Sequence, residues 1–434
     1  MMLRSNPARR GLRGTIRIPG DKSISHRAVI LASLADGRST ISGFLKAKDT
    51  LATLEACRQL GVEIQETDDL ITVQGVGLRG LKAPDKSLDM GNSGTALRLL
   101  AGVLAAQSFD CRLTGDKSLS ARPMGRILKP LIAMGAAIES NAGCPPLAIK
   151  GGRTLKPIRF QSPVASAQVK SCLLLAALCA GQSAELTEPH QSRDHTERLL
   201  QAMGARLEVD KLTVKLEPAE SLTAMEFAIP ADPSSAAFAC IAACLVPDSD
   251  VFLPGIGLNS SRDGGFRVLA KMGGRLTMQD WRSEGGEPVA DLRVRGGDLH
   301  GVSIPETWVP KTIDEFPVLM AAAAAARGVT RIRGAAELRV KESDRLQVMT
   351  AALRQLGVAI AEYEDGVDIL GGKVGGGEVD AGHDHRCAMS LLVLGLVAKA
   401  PVLVRGCDMI ATSYPGFVQQ LNQLGSDIQS VEQA

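Results

Sequence analysis

Lys22, Ser23, His26 and Arg27 are crowded into the stretch IPGDKSISHR, Ile18 to Arg27, where a Pro-Gly turn leads straight into an almost wholly apolar run. A helix beginning there carries cations in its first turn, against a macrodipole whose N-terminal end is already positive. An anionic ligand resolves that conflict, because free helix N–H groups, a hydroxyl and two cations together make a phosphate or carboxylate site. Similar groups recur along the chain. GNSGTALR supplies Asn92 as a cap, Gly94 to let backbone N–H groups approach a ligand, and Arg98 a turn later. RPMGR brings Arg122, PVASAQVKS brings Ser166, Gln168 and Lys170, and QSRDHTER brings Arg193. Acids enter with KTIDEFP, which holds Asp314 and Glu315, and ELRVKESDRL packs Lys341, Glu342, Asp344 and Arg345 into five residues. HDHRCAMS clusters His383, Asp384, His385 and Arg386 at a spacing that fits no standard zinc site. Taken singly, each stretch reads as a helix cap or a solvated charged face. Their joint recurrence at the same places of a repeat is what points to anion chemistry.

The repeat shows in one phrase: QLGVEI ending at Ile64, AMGAAI at Ile138, AMGARL at Leu207, KMGGRL at Leu276, QLGVAI at Ile360 and QLGSDI at Ile428. Each closes an amphipathic helix with a glycine where a left-handed C-terminal cap belongs, at Gly61, Gly135, Gly204, Gly273, Gly357 and Gly425, and a short alternating strand follows. Ahead of each glycine lies a helix apolar on nearly all sides: AVILASLA, ALRLLAGVLAA, SCLLLAALCA, AAFACIAACLV, PVLMAAAAAA and AMSLLVLGLVAKA. These are too short to span a membrane, so they must be fully buried and form the cores. The unit reads as strand, buried helix, strand, second helix and strand pair. The fold expected is α+β, two similar domains of three βαβαββ repeats each, with helices inside and sheets outside. IPGDKS (Ile18 to Ser23) and IPADPS (Ile229 to Ser234) are alike and begin the first and fourth units. They are the expected hinges, near 18–23 and 229–234. The first domain is then 20–230, and the second is 1–19 plus 231–434, because GTIRI, ahead of the first hinge, reads as a strand of the second half. Parallel helices would aim their starts, with Lys22, Arg122, Arg345 and Arg386, at one cleft that closes around a polyanion.

Totals narrow the classes further. A chain of 434 residues, 45% hydrophobic, is long enough for two cores. A formal net charge of +2 with only 3% aromatics gives no composition-level case for nucleic acid or a membrane surface. Nine cysteines without a CxxC pair suggest free thiols in a reducing compartment, and the basic N-terminus lacks the apolar run of a signal peptide. A cytoplasmic location and a monomer are expected.

The motifs GDKSISHR, GNSGTALR, RPMGR, SAQVKS, RDHTE, IDEFP, LRVKESDRL and DHR together resemble the 3-phosphoshikimate 1-carboxyvinyltransferase (EPSP synthase) family, across nearly the whole chain. SAQVKS and RDHTE look like its class II branch, many members of which tolerate glyphosate, an inhibitor of this enzyme family. The resemblance implies the enolpyruvyl transferase fold, an inverted α/β barrel or alpha-beta prism. It also implies transfer of the enolpyruvyl group of phosphoenolpyruvate to the 5-hydroxyl of shikimate 3-phosphate in the shikimate pathway to chorismate and aromatic amino acids, with neither metal nor organic cofactor. By the same resemblance Ser23, Arg27, Ser166, Ala167, Gln168 and Arg193 would hold shikimate 3-phosphate. Lys22, Gly94, Arg122, Arg345 and Arg386 would hold phosphoenolpyruvate, with Lys341 near the junction of the two substrates. Asp314 would take the proton of the 5-hydroxyl, Glu342 would deliver one to the methylene, and Lys22 would assist. Cations around Asp314 would help keep one carboxyl ionised while the other is protonated. The chain departs from the family pattern at Thr412, where many members have Lys, and at Leu99, where others have Pro; Gly94 is retained where some tolerant members have Ala.

Three rival readings are disfavoured by particular residues. The related transferase acting on UDP-N-acetylglucosamine uses a loop cysteine shortly before an Arg-Pro pair, but GDKSLSAR, Gly115 to Arg122, has none, and Cys111 reads as a core strand residue. A P-loop kinase fails because no GxxxxGK[ST] precedes Lys22. A non-catalytic anion binder would have no use for Asp314 and Glu342.

Overall fold

Each buried helix begins where a short polar residue meets an apolar run, and in five of the six that residue's side chain accepts a hydrogen bond from the helix's own first N–H groups. In the computed structural model, which describes residues 1–431, Asp21 caps Lys22–Leu34, Ser93 caps Gly94–Ala105, Ser166 caps Ala167–Ala180, Asp232 caps Pro233–Leu245 and Asp384 caps His385–Gly395. The second helix corrects the expectation that Asn92 is its cap. With the helix starting at Gly94, Ser93 is the residue in reach of the Ala96 N–H, at 3.1 Å, and the Asn92 side chain is taken up by Arg122 and Asp116. The fifth helix, Phe316–Ala325, has Glu315 at its cap position without a capping bond from that side chain. All six helices are buried along nearly their whole length, as their all-round apolar sequences require.

After each buried helix comes a strand, an amphipathic helix and a further strand, and the described residues contain six small sheets, one for each repeat. In the second repeat Leu88–Asp89 runs parallel to Cys111–Thr114, which pairs antiparallel with Cys144–Lys150, which in turn pairs with Ala137–Asn141. The third repeat has the same order. The first and fourth repeats borrow their leading strands from a distance. Glu226–Ala228 pairs parallel with Asp36–Ser42, and Arg13–Thr15 pairs parallel with Asp250–Gly257. The fifth sheet has three strands, its leading strand being reduced to two bridges, His300 to Arg327 and Ser303 to Arg331. In the sixth, the place held elsewhere by the last strand of the repeat is filled by the N-terminal strand Met2–Asn6, antiparallel to both Val402–Arg405 and Asp427–Val431. Sequence periodicity did not reveal that strand.

The six repeat glycines all adopt left-handed backbone, with φ from 81° at Gly357 to 107° at Gly135. A side chain is disfavoured at that φ, which is why glycine stands at each of these turns.

The chain divides into two compact units. One comprises Gly20–Ile229 with the hairpin tip Glu284–Glu287; the other comprises Met1–Pro19, Pro230–Ser283 and the chain from Pro288 onward. Each has its own apolar core, one running from Ile24 to Ile229 and the other from Leu3 to Ile18 and Ala236 to Ile428. Among the described residues no helix is long and apolar enough to cross a membrane.

Candidate active site

Within the first-half unit the start of the first buried helix is tied to two later segments. Arg27, 3% exposed, donates from Nε to Thr196 Oγ1 at 2.7 Å, from Nη2 to Ser171 Oγ at 2.8 Å and from Nη1 to the Ser23 carbonyl at 2.9 Å. Arg193 donates to Ser23 Oγ at 3.1 Å. Ser23 and Arg27, one helical turn apart, and Arg193, distant in sequence, thus form one hydroxyl and guanidinium cluster suited to a phosphate. Lys22 pairs with Asp49 at 2.5 Å, a carboxylate at the start of the helix Lys48–Gln59. Asp49 escaped the sequence reading because an acid in a first helical turn is what the dipole favours anyway.

The second and third buried helices start side by side. Arg98 donates to Gln168 Oε1 at 2.9 Å, and Gln168 Nε2 donates to Thr95 Oγ1 at 2.8 Å, so the amide is oriented from both ends. Arg122 donates to Asn92 Oδ1 at 2.6 Å. A Cβ on Gly94 would lie 2.6 Å from Arg98 Nη1 and 3.3 Å from Arg122 Nη1, which locates both guanidinium groups at this glycine. Ser166 and Ala167 begin the third helix as expected. Lys170 does not belong with them as a ligand-facing cation: it is 5% exposed and bound between Glu188 and Glu197.

His26 is fully buried, with Nδ1 2.7 Å from Thr53 Oγ1. Burial, and then the charges of Lys22 and Arg27, push its pKa well below 6.5. The unfolded chain therefore binds a proton that the folded chain refuses, so stability is full above pH 6.5 and falls as the pH drops below it. Urea unfolding at about pH 7.5 and about pH 5.5 is expected to show that loss, approaching ~1.4 kcal/mol per pH unit for this one group. His26→Asn is expected to flatten the difference.

Within the second-half unit Arg345, 1% exposed, is the centre. Its guanidinium donates to Glu342 Oε2 at 2.5 Å and to Asp384 Oδ2 at 2.8 Å, and reaches Asp314 Oδ1 at 3.5 Å. Asp384 also accepts from the Arg386 N–H at 2.8 Å, and Arg386 donates to the Asp314 carbonyl at 2.8 Å. Asp314, Glu342, Arg345 and Arg386 are therefore one connected cluster. Lys341 stands beside it; burial pushes its ammonium pKa down, against the pull of Asp314 and Glu337. Asp384, read in the sequence only as part of a histidine-rich cluster, proves to be the fully buried counter-ion of Arg345. Thr412 is buried, donating to the Met409 carbonyl at 2.7 Å. Cys111 is a core residue whose thiol pKa is pushed up to about 12 by burial, which disfavours the thiolate a nucleophile needs. Cys111→Ala is expected to leave turnover within about threefold of the parent in a steady-state assay, since the thiolate is disfavoured.

Each unit by itself gathers groups of the kind that enzymes for small anionic substrates use: hydroxyls and cations at buried helix starts in one, and a guanidinium joining carboxylates in the other. The family model for EPSP synthase (3-phosphoshikimate 1-carboxyvinyltransferase) matches residues 7–421, and the chain belongs to that family. It is 49% identical over 423 residues to the 3-phosphoshikimate 1-carboxyvinyltransferase of Coxiella burnetii, covering 97% of each chain. It is 51% identical over 420 residues to that of Methylococcus capsulatus, covering 96% of each. Among solved structures, EPSP synthase from Acinetobacter baumannii superposes with a TM-score of 0.88 at 44% identity, covering 99% of this chain and 100% of that one.

Proposed function

We propose that the protein transfers the enolpyruvyl group of phosphoenolpyruvate to the 5-hydroxyl of shikimate 3-phosphate and releases phosphate. The observation that carries this reading is the Arg345 guanidinium joining Asp314 and Glu342, because the reaction needs a base and an acid in fixed relation. The 5-hydroxyl oxygen bonds to C2 of phosphoenolpyruvate while its proton passes to Asp314, and Glu342 protonates C3. From the tetrahedral adduct C3 returns a proton to the Glu342 carboxylate, the C2–C3 double bond reforms and phosphate leaves C2. Lys22, Arg122, Arg345 and Arg386 hold the phosphoenolpyruvate charges, with Gly94 allowing close approach and with Lys341 at the junction of the two substrates. Ser23, Arg27, Ser166, Ala167, Gln168 and Arg193 hold shikimate 3-phosphate. In this reading the first-half unit is mainly the shikimate 3-phosphate domain, and the second-half unit supplies the proton-transfer groups. The near-zero net charge is in keeping with small-molecule rather than nucleic-acid or membrane partners, and the nine unpaired cysteines support a cytoplasmic location.

The test is phosphate release on incubation with both substrates. Release that needs both is expected; none would overturn the assignment. Gly94→Ala adds a check on the phosphoenolpyruvate ligands. Its methyl group must displace the Arg98 terminus, only 2.6 Å away, and crowds Arg122. The KM for phosphoenolpyruvate is expected to rise about tenfold, with a smaller rise for shikimate 3-phosphate through the Arg98 bond to Gln168.

A further inference from the structure

The motif SAQVKS contains a lysine that the reaction does not use. Lys170 Nζ lies 2.8 Å from Glu188 Oε2 and 2.7 Å from Glu197 Oε1, and the three side chains are 4%, 5% and 3% exposed. Burial alone would lower the lysine's pKa, but the two carboxylates more than offset it, and the ammonium is held charged. Well-packed apolar side chains of similar size commonly stabilise such a position as well or better, so a buried ion triad invites a role in fixing geometry.

Its connections supply that role. Glu188 Oε1 accepts the Ser166 N–H at 3.0 Å, where the third buried helix starts. Glu188 Oε2 accepts Ser192 Oγ–H at 2.8 Å, one residue before Arg193. Glu197 follows Thr196, and Ser171 follows Lys170; their hydroxyls are 2.6 Å apart and both accept from Arg27. Glu188 thus reaches Ser166 and the neighbour of Arg193, while Lys170 and Glu197 each adjoin a hydroxyl that accepts from Arg27, so the triad connects to three groups assigned above to shikimate 3-phosphate.

We propose that Lys170, Glu188 and Glu197 are positioning residues that preset the shikimate 3-phosphate half-site by locking the starts of the helices Ala167–Ala180 and His195–Ala202 to each other, an inference that rests on the function proposed above. That role needs no contact between either glutamate and the substrate. Their work is to hold three separate segments at fixed spacing before the phosphate arrives, so that binding does not have to order them.

Two variants test this, Lys170→Met and Glu197→Gln, each measured by steady-state kinetics in both substrates and by calorimetric titration with shikimate 3-phosphate. Lys170→Met is expected to raise the KM and Kd for shikimate 3-phosphate about tenfold, and Glu197→Gln about threefold, while the KM for phosphoenolpyruvate stays within about twofold. Lys170→Arg, whose fork can still bridge two carboxylates, is expected to recover most of the affinity. A general loss of folding would not single out one substrate. If Lys170→Met does not fold, the isosteric Glu197→Gln decides alone. Folded variants with wild-type affinity for shikimate 3-phosphate overturn the inference, whereas a wild-type protein that fails to turn over the two substrates overturns the proposed function instead.

Discussion

Arg345→Lys is expected to lower kcat by at least ~10²-fold and to unfold at a lower urea concentration than the parent, and Arg345→Ala to lose about 3–5 kcal/mol of stability. The guanidinium is the common partner of carboxylates from three segments: Asp314 before the fifth buried helix, Glu342 in the loop before Arg345, and Asp384 at the cap of the sixth. A lysine ammonium is a single point of charge and cannot span three acceptors set around a planar fork. Removing the side chain leaves Asp384, wholly buried, without its counter-ion. Burial alone would raise the Asp384 pKa; Arg345 overcomes it and holds the carboxyl below its usual range. The stabilisation is therefore present above the unfolded carboxyl's pKa of about 4 and is lost as the pH falls through the lower folded value. In the Arg345→Ala variant that acid limb should be missing from a plot of unfolding free energy against pH. Wild-type kcat and stability in Arg345→Lys would contradict the clamp.

What could be read from the chain, and what could not, separates along physical lines. Features set by neighbours in sequence were legible: the left-handed glycines, the all-round apolar helices and most of the caps follow from local backbone and burial rules. Residue types in the helix start at Ser23 and Arg27 and in the loop at Arg193 likewise marked out groups that the fold brings together. Features set by distant pairing were not. Met2–Asn6 is a five-residue strand whose partners begin near residue 402, and nothing in its own composition says which sheet it completes. Lys170 is anion-suited by type, but only the fold reveals that two glutamates already claim it. Asp49 and Asp384 escaped for the converse reason. Each had an adequate local explanation, a first-turn acid and a cap, which hid the long-range cation it serves.

Asp314→Ala is expected to retain shikimate 3-phosphate binding by calorimetry while losing ~10²- to 10⁴-fold in kcat, the range that general base catalysis supplies. The surroundings argue that the loss will be chemical. The Asp314 carbonyl, not its carboxylate, receives the Arg386 bond at 2.8 Å, so the backbone keeps its anchor when the side chain is cut. Arg345 keeps two of its three carboxylates, and the stronger two by distance. The Asp314 side chain is 17% exposed, so its removal opens no sealed cavity. Glu342→Gln provides the complement: it preserves the side-chain shape beside Arg345 but cannot donate a proton from a carboxyl. Rapid-quench measurement of adduct and phosphate together separates the two, with Asp314→Ala slowed in forming the adduct and Glu342→Gln slowed both there and in adduct breakdown, where C3 must lose its proton. Loss of shikimate 3-phosphate binding in Asp314→Ala would assign that carboxylate to ground-state binding and remove it from the proton-transfer pair.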